Sequence, residues 1–163
     1  MTGPRDLALI GVSVALALVL GMLPVMHLPF GGRISLEYVP LVVLALLRGP
    51  AAGALAGAVE GILHFQVEPF LLTPLSLVLD YPLPRAAMGL AGLGRPVVGI
   101  TVAFLAALAL HSLSGYLYFA GARVGWAAWT YAVGYNSLYL VPSWIAALVL
   151  APLMARRMAR PRR

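Results

Sequence analysis

Asp80 is the residue of this chain whose type and place most call for chemistry. It lies in an apolar run from Leu71 to Leu83, and the nearest charged residues in sequence are Glu68 and Arg85. A carboxylate at the centre of a bilayer span costs roughly 3 kcal/mol or more, so such groups face a partner, a cavity or a ligand. Tyr81 and Pro82 follow at once, which puts the polar site at a helix irregularity. His111 and Asn136 are further polar residues in apolar surroundings. Glu60 and His64 form a third feature, one helical turn apart. They are expected to satisfy each other facing the bundle, with a proton-relay or substrate role as the alternative. Glu37 and Glu68 are expected near the outer surface, solvated.

The elements that must position these groups are membrane helices. The chain has 163 residues, 62% hydrophobic and 10% charged. A soluble domain of this size would leave roughly a third of its potential surface in water, so lipid is the expected solvent. There are no cysteines, which excludes disulfide, thiolate-metal and cysteine-nucleophile chemistry. All eleven basic residues are arginines. Without lysine a phosphate-binding loop of the G-x-x-x-x-G-K-[ST] type is impossible, so the chain cannot power itself through such a loop. The net charge of +6 comes largely from the tail arginines 156, 157, 160, 162 and 163. A basic cluster after a membrane helix marks the cytoplasmic side and can touch anionic lipid; nucleic acid is not expected. No cofactor and no metal site is called for.

Six transmembrane helices are expected in one integral-membrane domain covering residues 1–163. They run about Asp6 to Val25, Ser35 to Leu47, Ala51 to Phe65, Leu71 to Leu93, Pro96 to Phe119 and Trp126 to Ala155, separated by proline and glycine breaks. The first is expected to be a retained helix and not a cleaved signal. With both termini cytoplasmic, Arg5, Arg48, Arg85, Arg95 and the tail arginines lie inside, and only Arg33 and Arg123 outside. The second segment is too short to span alone, so the connection from His27 to Ile34 is expected to dip into the protein. The last is too long and must tilt, bend near Pro142 or project. Gly53, Gly57 and Gly61 make a stripe for close helix approach, most simply internal packing.

Helix rise then gives depth. Counted from the outer helix ends, Asp80, His111 and Asn136 all lie roughly 12–15 Å down. Three polar residues on three helices therefore share one level, where a water-accessible pocket can bring them together. Tyr81, Phe119, Tyr131 and several other rings stand at that level or above it. His111, Gly115 and Phe119 share a face, with Gly115 leaving room for a flat ring. An anion, an imidazole, an amide and several rings suit a flat, cationic, heteroaromatic ligand. Asn136 can read a donor and acceptor pair.

Five strings carry a family resemblance: Gly31-Gly-Arg-Ile-Ser-Leu-Glu-Tyr-Val-Pro40, Leu46-Leu-Arg-Gly-Pro50, Leu79-Asp-Tyr-Pro-Leu83, His111-Ser-Leu-Ser-Gly115 and Tyr135-Asn-Ser-Leu-Tyr-Leu-Val-Pro142. In this order and spacing they resemble the thiamine-specific substrate-binding component of energy-coupling factor transporters, over nearly the whole chain. The resemblance implies an all-α S-component fold that binds thiamine from outside. It implies a transmembrane coupling subunit and two cytoplasmic ATPase subunits as partners, in a prokaryotic cell membrane. It places Asp80, Tyr81, His111, Phe119, Tyr131, Asn136 and Phe30 in the substrate site, and Gly11, Ala15 and Ala17 on the docking face of the first helix. Where the family commonly has pocket tryptophans, this chain has Phe30 and Tyr38, then Tyr116, Tyr118 and Phe119. Glu60 has no counterpart in the pattern. An S component for another vitamin or precursor stays open beside this reading, as do a small intramembrane enzyme and a ligand-free scaffold.

Overall fold

A computed structural model describes residues 3–69 and 72–159, apart from the side chain of Phe30. Helices α1 Pro4–Met22, α2 Tyr38–Arg48, α3 Pro50–Val67, α4 Pro74–Asp80, α5 Pro82–Ala86, α6 Pro96–Ser114 and α7 Gly125–Met158 account for most of it. Proline opens α1, α3, α4, α5 and α6, at positions where its missing N–H has no intrahelical partner to lose. Among the described residues, three helical segments, Pro4–Met22, Pro96–Phe119 and Gly125–Met158, are long and apolar enough to cross a bilayer.

The centre of the bundle is α2. Its residues Tyr38 to Ala45 are all buried, because α1, α3 and α7 pack around it; a helix apolar on every side belongs in a core. Its 11 residues rise only roughly 16 Å, about half a bilayer core. The preceding chain makes up the depth. Strands β1 Met26–His27 and β2 Arg33–Ile34 pair antiparallel, Met26 opposite Ile34, around a 3-10 turn at Pro29–Gly31. Of the connection from His27 to Ile34, Gly32 and Arg33 are buried while His27, Pro29 and Gly31 are exposed, so only its last part enters the protein, followed by buried Ser35 and Glu37.

The fourth segment is not one helix. It consists of α4, α5 and a 3-10 stretch at Ala87–Gly92. The break falls at Tyr81, with φ −117° and ψ −82°, just before Pro82. The expected span runs unbroken from Leu71 to Leu93, and the break falls at the irregularity that Tyr81 and Pro82 mark. The α3 glycine stripe packs against the broken segment. A Cβ on Gly57 would collide with the Arg85 carbonyl, and one on Gly61 would come within 2.5 Å of the Tyr81 carbonyl. The stripe is thus an internal seam.

Helix α1 turns Ile10, Val14, Ala17 and Gly21 inward. Ala17, expected on a docking face with Gly11 and Ala15, is fully buried. It lies three residues after Val14, on the core side of the helical period. Gly11 and Ala15 are exposed. Helix α7 contains Pro142 and Pro152, and its 34 residues rise roughly 51 Å. Arg160, Arg162 and Arg163 lie outside the described residues.

Candidate functional site

The hairpin, α2, the α4–α5 junction, α6 and α7 enclose one cavity. Asp80, Tyr81, His111, Phe119, Tyr131 and Asn136 all line it. Phe30, by its side chain, lies outside the described residues.

Asp80 is the hub of the polar wall. It closes α4 and reaches α6, where Ser114 Oγ donates to its Oδ2 at 2.6 Å and His111 Nδ1 lies 3.3 Å from its Oδ1. His111 Nδ1 donates here, since an ionised carboxylate only accepts. The buried Nε2 of His111 has no hydrogen-bond partner among the described residues; in that tautomer it offers a lone pair. Asn136 on α7 donates to the carbonyls of Ala132 at 2.8 Å and His111 at 3.2 Å. Its Oδ1 accepts from Tyr139 Oη at 2.6 Å. Both amide N–H groups are therefore engaged within the protein, and what Asn136 keeps for a ligand is one acceptor lone pair. Gly115 lines the cavity, but the room it leaves is taken: a Cβ there would meet Ala132 Cβ at 3.0 Å and Asn136 Nδ2 at 3.3 Å. The glycine serves the close approach of α6 to α7, not a ligand ring.

Aromatic rings form the other wall. Tyr131 and Tyr135 stack with centroids 6.3 Å apart, and Tyr139 meets Tyr135 edge-on at 6.1 Å. The Arg123 guanidinium lies 4.3 Å from the Tyr131 ring centre, so this ring already attracts a cation. Phe119 ends a π-helical turn at Gly115–Phe119, a wide turn common at functional sites. Tyr81 points its hydroxyl away, to the Glu68 carbonyl at 2.8 Å. Tyr135 fastens the hairpin over the cavity: its hydroxyl donates to the Pro29 carbonyl and accepts from Gly32 N–H at 3.1 Å. Tyr38 lines the cavity, while Tyr116 stacks on Trp129 instead.

Beside the cavity lies a second, charged cluster that sequence reasoning mostly missed. Glu60 and His64 do pair, at 3.1 Å, but not alone. Glu37, expected in solvent, is buried and shared between Arg33 Nε and Arg85 Nη2, each at 3.6 Å. Arg85, expected on the cytoplasmic side, is buried with its Nε 2.5 Å from Glu60 Oε2. Arg33 binds Glu68 at 2.7 Å and donates to His64 Nε2. A guanidinium can only donate, so His64 carries its proton on Nδ1, toward Glu60. Glu37, Glu60 and His64 place ligand atoms within 4.8 Å of one another. Arg33 and Arg85 form ion pairs with the two carboxylates, although Glu37 Oε2 and Glu60 Oε2 accept no hydrogen bond among the described residues.

Two carboxylates thus line the cavity, Glu37 and Asp80. Glu37 faces two arginines; Asp80 has no arginine side-chain partner on its carboxylate among the described residues. Ser114 could have been found by its position three residues after His111, on the same face.

Apolar helical segments wrapped around a short central helix, with a polar cavity strapped by a hairpin, define a multi-pass membrane protein of the S-component fold. The S component of a bacterial ECF transporter superposes with a TM-score of 0.66 at 18% identity, covering 95% of each chain. ThiT from Listeria monocytogenes superposes with a TM-score of 0.83 at 20% identity, covering 94% of each. The chain belongs to the thiamine transporter protein family, whose model matches residues 7–161. Thiamine transporter ThiT of Bacillus subtilis is 29% identical over 162 residues, covering 87% of this chain and 83% of that protein. The transporter of the same name from Lacticaseibacillus paracasei is 29% identical over 147 residues, covering 75% and 72%.

Proposed function

We propose that the cavity binds thiamine and that the protein presents it for uptake driven by a separate coupling module. The observation that carries the reading is the charge balance of the cavity wall. Arg33 is balanced by Glu37 and Arg85 by Glu60, which leaves Asp80, with no arginine on its carboxylate among the described residues, as the negative charge open to a ligand. Thiamine joins a cationic ring to an aminopyrimidine. Tyr131, Tyr135, Tyr139 and Phe119 offer rings that stack on it and attract its charge. The open lone pairs of Asp80, His111 Nε2 and Asn136 Oδ1 suit aminopyrimidine N–H donors.

Energy must come from elsewhere, because a chain without lysine cannot build a Walker-type loop. A transmembrane coupling subunit and two ATPase subunits are the proposed partners, with Gly11 and Ala15 on the exposed side of α1 as contacts. The termini face the ATPase side.

Titration of detergent-purified protein with thiamine in a calorimeter tests the reading. Saturable binding at micromolar concentration or below is expected, weakened for an analogue whose second ring is uncharged. Absence of binding would remove the assignment. Equal affinity for the uncharged analogue would remove the role given to Asp80.

A further inference from the structure

The break in the fourth segment removes a hydrogen bond at the proposed site itself. In a continuous helix the Asp80 carbonyl would accept from the N–H four residues on. That residue is Pro84, which has no N–H. Arg85 supplies the missing donor. Its Nη1 lies 3.1 Å from the Asp80 carbonyl oxygen and 3.5 Å from that of Tyr81. The two other guanidinium nitrogens form ion pairs with acids, Nε with Glu60 and Nη2 with Glu37, although Nε makes no hydrogen bond among the described residues. Glu60 is fully buried on α3 and is fixed in turn by His64.

We infer that Arg85, aimed by Glu60, is a positioning residue for Asp80: it clamps the Asp80 backbone so that the carboxylate points at His111, Ser114 and the cavity. The inference rests on the ligand reading above. A buried ion pair adds little stability over a well-packed apolar pair, and the glycine seam already joins α3 to this segment without it. What an apolar pair could not supply is the donor to the Asp80 carbonyl. Glu60 does not line the cavity and acts through Arg85; Arg85 does line it, and its role is the hold on the Asp80 backbone.

The test is a double-mutant cycle on the full chain in detergent, with thiamine affinity and thermal midpoint measured together. R85M is expected to weaken thiamine binding about tenfold beside native Asp80, within the range for coupled neighbours. It is expected to change nothing in a D80N background. E60Q should show the same pattern at about threefold, and R85K should recover most of the loss, because it keeps the charge and a donor. A merely structural pair would lower the thermal midpoint and leave this non-additivity at zero. Wild-type affinity in folded R85M, or equal losses in both backgrounds, overturns the inference. If R85M does not fold, E60Q and R85K go through the same cycle: a loss confined to native Asp80 supports the clamp, and equal losses in both backgrounds overturn it. If the wild-type chain does not bind thiamine, the ligand reading falls and this inference falls with it; if it binds and the losses add, only this inference falls.

Discussion

Asp80→Asn separates charge from shape at the centre of the site. The variant keeps a carbonyl oxygen to accept from His111 Nδ1, and its new N–H group can donate to Ser114 Oγ. The bundle should therefore fold with an unchanged thermal midpoint. What is lost is the attraction between the carboxylate and a cationic ligand. A charge pair at about 4 Å is worth about 1 kcal/mol in water and about 4 kcal/mol at an effective dielectric of about 20. The Asp80 side chain is 22% exposed, so the site lies between these limits. A loss of about 2–3 kcal/mol follows, which is roughly 30- to 150-fold in Kd. Calorimetry on wild type and variant under one buffer reads it directly. An analogue with an uncharged second ring supplies the control, since its affinity should change little on the same substitution. A variant that binds thiamine with wild-type affinity, or that loses both ligands equally, would refute the charge argument.

The remaining expectations concern neighbours of that group. Tyr135→Phe removes the hydroxyl that ties Pro29 and Gly32 of the hairpin; two lost neutral hydrogen bonds, about 1–2 kcal/mol together, should speed thiamine release and raise hydrogen exchange across 25–34. Unchanged exchange there would remove the clamp. Ser114→Ala deletes one donor to Asp80 but leaves its charge, so calorimetry should show a loss of about fivefold, smaller than for Asp80→Asn; a larger loss would make the hydroxyl, not the charge, dominant. Gly61→Leu drives a side chain into the Tyr81 carbonyl and should cost about 3 kcal/mol or more by overpacking, read as lost yield and a lowered thermal midpoint. A stable variant would mean that the seam can open.

The polar hub was legible because depth along a helix depends only on counting. Asp80, His111 and Asn136 sit on three different segments, yet the rise per residue placed them at one level, and the folded chain brings them into one hydrogen-bonded set. The charged cluster was not legible for the opposite reason. Which way Arg33, Glu37 and Arg85 point is decided by tertiary packing that no spacing records. Arg33 follows a tight turn and runs inward with the hairpin. Arg85 lies just past the break at Tyr81–Pro82, and a continuous helix would have carried it elsewhere. Ala17 shows the same limit on a small scale. The small residues of α1 look alike in sequence, and only the position of the core separates Ala17 from Gly11 and Ala15.

The two clusters divide the electrostatic work between them. Buried charge is tolerated when each group is paired and hydrogen-bonded. Arg33 and Arg85 meet Glu37 and Glu60, and His64 must stay neutral to accept from Arg33. Glu68, at the edge with its side chain 45% exposed, is stabilised partly by water. The buried part of this cluster thus closes on itself and projects little net field into the cavity. Asp80 is built the other way. It receives a hydroxyl and an imidazole N–H and no guanidinium among the described residues. Of the two carboxylates lining the cavity, a cation entering it therefore finds one, Asp80, without an arginine partner among the described residues. Had Arg85 turned its guanidinium to the Asp80 carboxylate instead of the Asp80 carbonyl, the same residues would have made a neutral pocket with no preference for a cationic ring.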